Sequence, residues 1–156
     1  MKVIFLDFDG VLNSLAYREK AEDYYNDFID ETRMPLLKEL VDKTGALIVL
    51  TTTWRIYWNK EVSTLDCKAA KINNIFSKYG LQIYNKTANL NENRNFEILM
   101  FLSCNEVENY VILDDIDFGW SDENRRRFVQ TDDRDMGLDE KTVQKAIEIL
   151  GITDEK

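Results

Sequence analysis

Three short stretches of this chain gather oxygen-bearing and basic side chains behind apolar runs. They are Asp7-Phe8-Asp9-Gly10-Val11-Leu12-Asn13, Thr51-Thr52-Thr53-Trp54-Arg55, and Asp114-Asp115-Ile116-Asp117. In extended chain the side-chain period is two, so Asp7 and Asp9 point to the same side. Gly10 lets the backbone turn sharply behind them. If the three apolar runs are neighbouring strands, carboxylates from both ends of the chain meet at one rim. Clustered carboxylates repel one another unless a divalent cation neutralises them. Hydroxyls and a guanidinium beside such a cluster suit a phosphoryl group.

Composition narrows the chemistry further. The chain has 156 residues, no histidine, two cysteines and 29 acidic residues, with a formal net charge of −9. Without imidazole there is no Ser-His-Asp or Cys-His nucleophilic site and no His-ligated zinc. The carboxylates favour hard, oxygen-seeking cations such as Mg²⁺. Cys67 and Cys104 are too few for a disulfide scaffold or a four-cysteine zinc site and are read as reduced thiols. The apolar run Val3–Leu6 is cut short by Asp7, unlike a signal peptide, and no stretch approaches a membrane span. The expected setting is a soluble, cytoplasmic protein. The acidic balance argues against bulk, non-specific nucleic-acid binding.

The elements that must position these residues follow from hydrophobic pattern. Val3–Leu6, Ala46–Leu50 and Tyr110–Leu113 are apolar without alternation, as in parallel strands covered on both faces. Phe128–Gln130 and Gln82–Tyr84 are further strand candidates. Apolar stripes at helical spacing include Leu36, Leu37, Leu40 and Val41, stopped by Gly45, and Ile72, Ile75, Phe76 and Tyr79, stopped by Gly80. A third helix is expected over 92–102, and a last one carries Val143, Ala146, Ile147 and Leu150. The alternation predicts an α/β fold, a Rossmann-like three-layer α/β/α sandwich with a mainly parallel central sheet, in one domain over 1–156. In such sheets, sites form at the C-terminal ends of the strands, where the three stretches stand.

Asp7-Phe8-Asp9-Gly10-Val11-Leu12-Asn13 resembles the first motif of the haloacid dehalogenase (HAD) superfamily. Thr51 resembles its second motif, a Ser or Thr ending the next core strand, and Asp114-Asp115 the acidic pair of its fourth. Arg94 is the best fit to the third, a lone basic residue near a helix start; Lys86, Lys68 and Lys71 are its rivals. The Thr-Trp-Arg and Arg-x-x-Glu-Ile patterns are also similar to small HAD domains found in or near RNA-repair proteins. The resemblance implies a Mg²⁺-dependent phosphatase. Asp7 is then the nucleophile and Asp9 the general acid and base. The metal is held by Asp7, the Asp9 carbonyl, and Asp114 or Asp115. Thr51 and Arg94 bind the phosphoryl group, with Gly10 and Thr52 as further substrate contacts; Arg55 either contacts the substrate phosphate or pairs with a nearby acid. Asp9 argues against the carbon–halogen and phosphonate branches of the superfamily, which lack a second aspartate at that position or depend on a cap lysine.

The intervals between these motifs leave no room for a large cap domain, only for a small flap or cap insertion at about 14–31. By analogy with family members of this kind, the expected substrate is an accessible phosphate, such as a nucleotide or a nucleic-acid end. Tyr24, Tyr25 and Phe28 in the insertion either form a stacking lip for a base or pack it down. Trp54 and Trp58 are expected to pack, and Asp117 to serve a turn. Arg125-Arg126-Arg127 is either a solvated face or a contact for a phosphate backbone. Two other classes use the same residues: a non-catalytic metal- or phosphate-binding module, and a phosphotransferase.

Overall fold

A computed structural model describes residues 1–60, 67–91 and 93–153. Its centre is a five-stranded, all-parallel sheet in the order β3-β2-β1-β4-β5. The strands are β1 (Lys2–Leu6), β2 (Leu47–Leu50), β3 (Ile83–Lys86), β4 (Asn109–Asp114) and β5 (Phe128–Gln130). Among the described residues the helices are α1 (Leu15–Lys20), α2 (Met34–Thr44), α3 (Cys67–Lys78), α4 (Arg94–Cys104), α5 (Asp122–Arg127) and α6 (Glu140–Leu150).

The unalternating strands are apolar because both faces are covered. Ile4, Leu6, Ile48, Leu50, Val111 and Leu113 face one layer, with Leu37 and Leu40 of α2, Ile72 and Phe76 of α3, and Val143, Ala146 and Ile147 of α6. Val3, Phe5, Val49, Tyr110 and Ile112 face the other, with Ile98 and Phe101 of α4. The result is a Rossmann-like α/β/α sandwich. Helix ends follow local chemistry. Gly45 closes α2 in the left-handed region at φ +68°, where a Cβ would be strained. Asp139 and Thr142 form a reciprocal capping box at the start of α6, an arrangement in which two orphan amide donors are satisfied.

The five expected strands are present, with β3 starting one residue later and ending two residues later than Gln82–Tyr84. The third expected helix starts at Arg94, and Glu92 lies outside the described residues. The pattern reading missed α1 and α5, each six residues long. The sequence of α5, Asp-Glu-Asn-Arg-Arg-Arg, has no apolar stripe to reveal it. It is instead favoured by acids in its first turn and bases in its last, which complement the helix dipole. Among the described residues no helix is long and apolar enough to cross a membrane. Cys67 and Cys104 are free and exposed.

Candidate active site

The chain runs outward from β1 to β2 and β3, then returns to place β4 on the other side of β1. A reversal of this kind opens a crevice at the C-terminal strand ends. Ladder hydrogen bonds continue one step past the strands and set the rim. Asp7 N donates to Leu113 O (3.1 Å), Thr51 N to Leu6 O (2.9 Å), and Thr131 N to Asp114 O (3.0 Å). Asp7, Thr51 and Asp114 thus stand side by side on three adjacent strands, although Asp7 and Asp114 are more than a hundred residues apart in sequence.

Asp7 is 3% exposed and Asp114 fully buried. Arg94, the first residue of α4, bridges them, 3.0 Å from Asp7 Oδ2 and 2.6 Å from Asp114 Oδ2. Burial pushes the Asp7 carboxyl up to about 6, against the opposing pull of Arg94. Burial, followed by repulsion from Asp7, pushes Asp114 up to about 8. Burial disfavours the Arg94 charge, but Asp7 and Asp114 beside it outweigh that and raise its affinity for its proton. Asp115 is half-buried and also raised by burial. Oxygens of Asp7, Asp114 and Asp115 lie within 4.8 Å of one another. Three carboxylates crowded this closely, two of them away from water, are a fitting donor set for a hard divalent cation.

Asp9 sits apart from this group. Its Oδ1 accepts from Asn13 Nδ2 (3.0 Å) and from the Tyr24 hydroxyl, and its Oδ2 from Trp54 Nε1 (3.1 Å). Burial, then the Asp9 carboxylate, push the Tyr24 phenol far above its ordinary range, so it stands there as a donor. The turn that follows the two aspartates is made by Gly10 at φ +81°. Gly10 N donates to Asn13 Oδ1 (3.0 Å), and Gly10 O accepts from Thr131 Oγ1 (2.6 Å). A Cβ at Gly10 would lie 2.4 Å from Asp115 Cγ. The glycine is therefore needed both for its dihedral and for the approach of the acidic pair.

Thr51 Oγ1 is buried and has no hydrogen-bond partner among the described residues. An orphaned hydroxyl at the rim, in line with Asp7, is costly unless a ligand atom meets it. Thr52 is committed differently: its hydroxyl caps the following 3-10 turn through Trp54 N (3.3 Å). Of the two readings of Arg55, the structure shows the pairing with an acid. All five of its N–H groups are taken, by the carbonyls of Thr51, Thr52, Thr87 and Ala88 and by the Glu97 carboxylate. A guanidinium saturated in this way has no donor left for a phosphate. Two of these bonds, to Thr51 O and Thr52 O, hold the loop that carries Thr51.

Lys86, a rival to Arg94, donates to the carbonyls of Arg55 (3.1 Å) and Trp58 (2.7 Å). Lys68 and Lys71 reach the carbonyls of Tyr25 and Asn26. Arg94 alone of the four touches Asp7. The run Arg125–Arg127 forms the last turn of α5, and each member pairs with an acid: Asp117 for Arg125, Glu123 for Arg126 and Arg127. Asp117 holds a turn through Gly119 N (2.9 Å) as well.

Residues 14–31 fold as α1 and a series of turns lying against the site. Phe28 is buried, Tyr24 reaches Asp9, and Tyr25 is 58% exposed. Sequence reasoning missed three participants. Asn13 was within the motif but had no role assigned. Trp54 packs as expected, yet its N–H also reaches Asp9. Glu97, on the same helix as Arg94, anchors Arg55. The Arg-x-x-Glu spacing was the available signal, since it puts both side chains on one helical face.

An all-parallel sheet with an Asp-x-Asp turn after its central strand, a Thr after the next and an acidic pair across the crevice defines a HAD-type domain. Over residues 3–143 the chain matches the family described as the HAD domain in Swiss Army Knife RNA repair proteins, and it belongs to that family. No curated protein and no solved structure matches it.

Proposed function

We propose that the chain is a Mg²⁺-dependent phosphomonoesterase working through an aspartyl-phosphate. The observation that carries this reading is the convergence on Asp7 of Arg94, Asp114 and Asp115 at one strand rim. Asp7 attacks phosphorus; an Asp7–phosphorus bond forms, and the bond to the leaving oxygen breaks. Asp9 gives that oxygen a proton, then takes one from the water that cleaves the aspartyl-phosphate and releases inorganic phosphate. Thr51 Oγ1 donates to a phosphoryl oxygen, which supplies its missing partner. Arg94 offsets negative charge at the reacting centre. Asp7, Asp114, Asp115 and the Asp9 carbonyl would hold Mg²⁺, whose chemistry is to screen carboxylate from phosphate and stabilise transferring charge.

The substrate class we favour is a nucleotide or nucleic-acid end. Support comes from the small insertion, the exposed Tyr25 beside the site, and the RNA-repair proteins in which this family's domains occur. The decisive experiment is a Mg²⁺-supplemented panel of 5′- and 3′-phosphorylated oligonucleotides, mononucleotides and sugar phosphates, run with wild type and Asp7→Asn. Turnover of phosphorylated ends by wild type, lost in a folded Asp7→Asn, is the expected result. Turnover of sugar phosphates alone overturns the nucleic-acid reading. No turnover of any member favours a binding module, and phosphate appearing on an added alcohol instead of as free phosphate favours a phosphotransferase.

A further inference from the structure

We infer that Tyr24 and Trp54 are positioning residues for Asp9, fixing the orientation of the carboxyl group that protonates the leaving oxygen. The inference rests on the phosphatase reading and adds to it the part of the chain that sets its acid.

A general acid must present its carboxyl in one orientation, and a side chain with two free torsions on a turning loop does not do so unaided. Asp9 lies on such a loop, half-buried, one residue before Gly10. Its two oxygens are held from three directions: Asn13 from the same motif, Tyr24 from the insertion, and Trp54 from the turn after β2. Tyr24 and Trp54 address opposite oxygens, so together they fix the rotation of the carboxylate plane.

The two donors are themselves immobilised. The Trp54 ring is stacked on Phe28 at 4.2 Å between centroids and 7° between planes. Phe28 stacks in turn on Phe8 at 6.3 Å and 21°. Phe8 is the residue between the two aspartates, so the stack ties the position of Trp54 to the backbone that carries Asp9. Tyr24 meets the Trp54 ring edge-on at 6.1 Å and 86°. None of these contacts involves Asp7, whose partners are Arg94 and the acidic pair. The two aspartates are therefore held by separate sets of side chains, and the hold on Asp9 can be loosened by itself.

The test uses leaving groups. A nitrophenolate leaves readily without a proton, whereas an alkoxide needs one. Values of kcat/KM are measured with p-nitrophenyl phosphate and with glycerol 2-phosphate for wild type, Tyr24→Phe and Trp54→Phe. Both variants keep an aromatic ring in place, and thermal unfolding by circular dichroism checks their folds. The expected result is a loss on the order of 10²-fold on glycerol 2-phosphate with a much smaller loss on p-nitrophenyl phosphate. Equal losses on both substrates, or no loss on either, overturn the positioning role while leaving the phosphatase reading intact. If Trp54→Phe does not fold, Tyr24→Phe alone decides between these outcomes. A wild type that turns over neither of these substrates nor any member of the phosphorylated-end and nucleotide panel overturns the phosphatase reading, and the positioning role with it.

Discussion

Arg55 and Glu97 form an ion pair almost wholly removed from solvent, with side chains 4% and 1% exposed. It joins the turn after β2 to α4, three residues from Arg94. The pair thus sets the distance between the loop that offers Thr51 and the helix that offers Arg94. Glu97 Oε2 also accepts from Leu90 N (3.2 Å), while its Oε1 has no partner among the described residues. The contact is therefore a device for registering two elements more than a source of net stability.

Removing one member leaves the other charge buried and alone. Glu97→Ala is expected to destabilise the fold by about 3–5 kcal/mol. Urea unfolding followed by fluorescence of the three tryptophans reads this directly. A loss below about 1 kcal/mol would show that Arg55 is satisfied by its carbonyl partners without Glu97.

Thr51→Val tests the orphaned hydroxyl. Valine has the same shape and removes an oxygen that nothing among the described residues satisfies. Stability should be unchanged or higher. On the phosphatase reading, kcat/KM should fall on the order of 10²-fold, the cost of deleting one donor to transition-state charge. A variant that loses stability and keeps its activity would remove Thr51 from the site.

Gly10→Ala places a methyl group 2.4 Å from Asp115 Cγ and 2.6 Å from its Cβ, an atom that cannot swing aside. The left-handed φ adds roughly 1–2 kcal/mol for any residue with a Cβ. The variant should melt lower and bind Mg²⁺ more weakly than wild type. Isothermal titration with MgCl₂ separates the second effect from the first.

The buried carboxylates predict a pH dependence. In the fold, Asp7 and Asp114 are raised from 3.8 to about 6 and about 8. From about pH 4 to about pH 8 the folded chain thus holds protons at these sites that the unfolded chain has released. The contribution of the pair is full below that window and is lost as pH rises through it. A bound divalent cation supplies the missing positive charge. Mg²⁺ should therefore raise Tm more at about pH 8 than at about pH 5, as measured by scanning fluorimetry. An equal shift at both values would place the cation elsewhere.

Local pattern was enough for much of this molecule. Apolar runs without alternation define parallel strands because strand burial is periodic in sequence, and residues just after such runs must stand at strand ends. Asp7, Thr51 and Asp114 are thus legible as strand-end residues, while the adjacency of β2, β1 and β4 that brings them to one rim belongs to the tertiary structure. Gly10 was equally legible, since a turn after a strand demands its dihedral. The short, charged α5 was not, because its stability comes from dipole and ion pairs that leave no hydrophobic period.

What needed the tertiary structure was the choice among residues of the same type. Arg94, Lys86, Lys68 and Lys71 carry the same charge. Only packing turns Arg94 towards Asp7 and the others towards backbone carbonyls. Arg55 looked like a phosphate contact until five acceptors, drawn from three segments, surrounded its guanidinium. Tyr24 touches Asp9 because the segment 14–31 folds back onto the motif, a closure that no spacing in the sequence encodes. Periodicity is a property of a few adjacent residues, so sequence alone could determine the strands and their ends. The partner of a long, flexible side chain depends on what every other segment leaves within reach, and that was decided only when the chain folded.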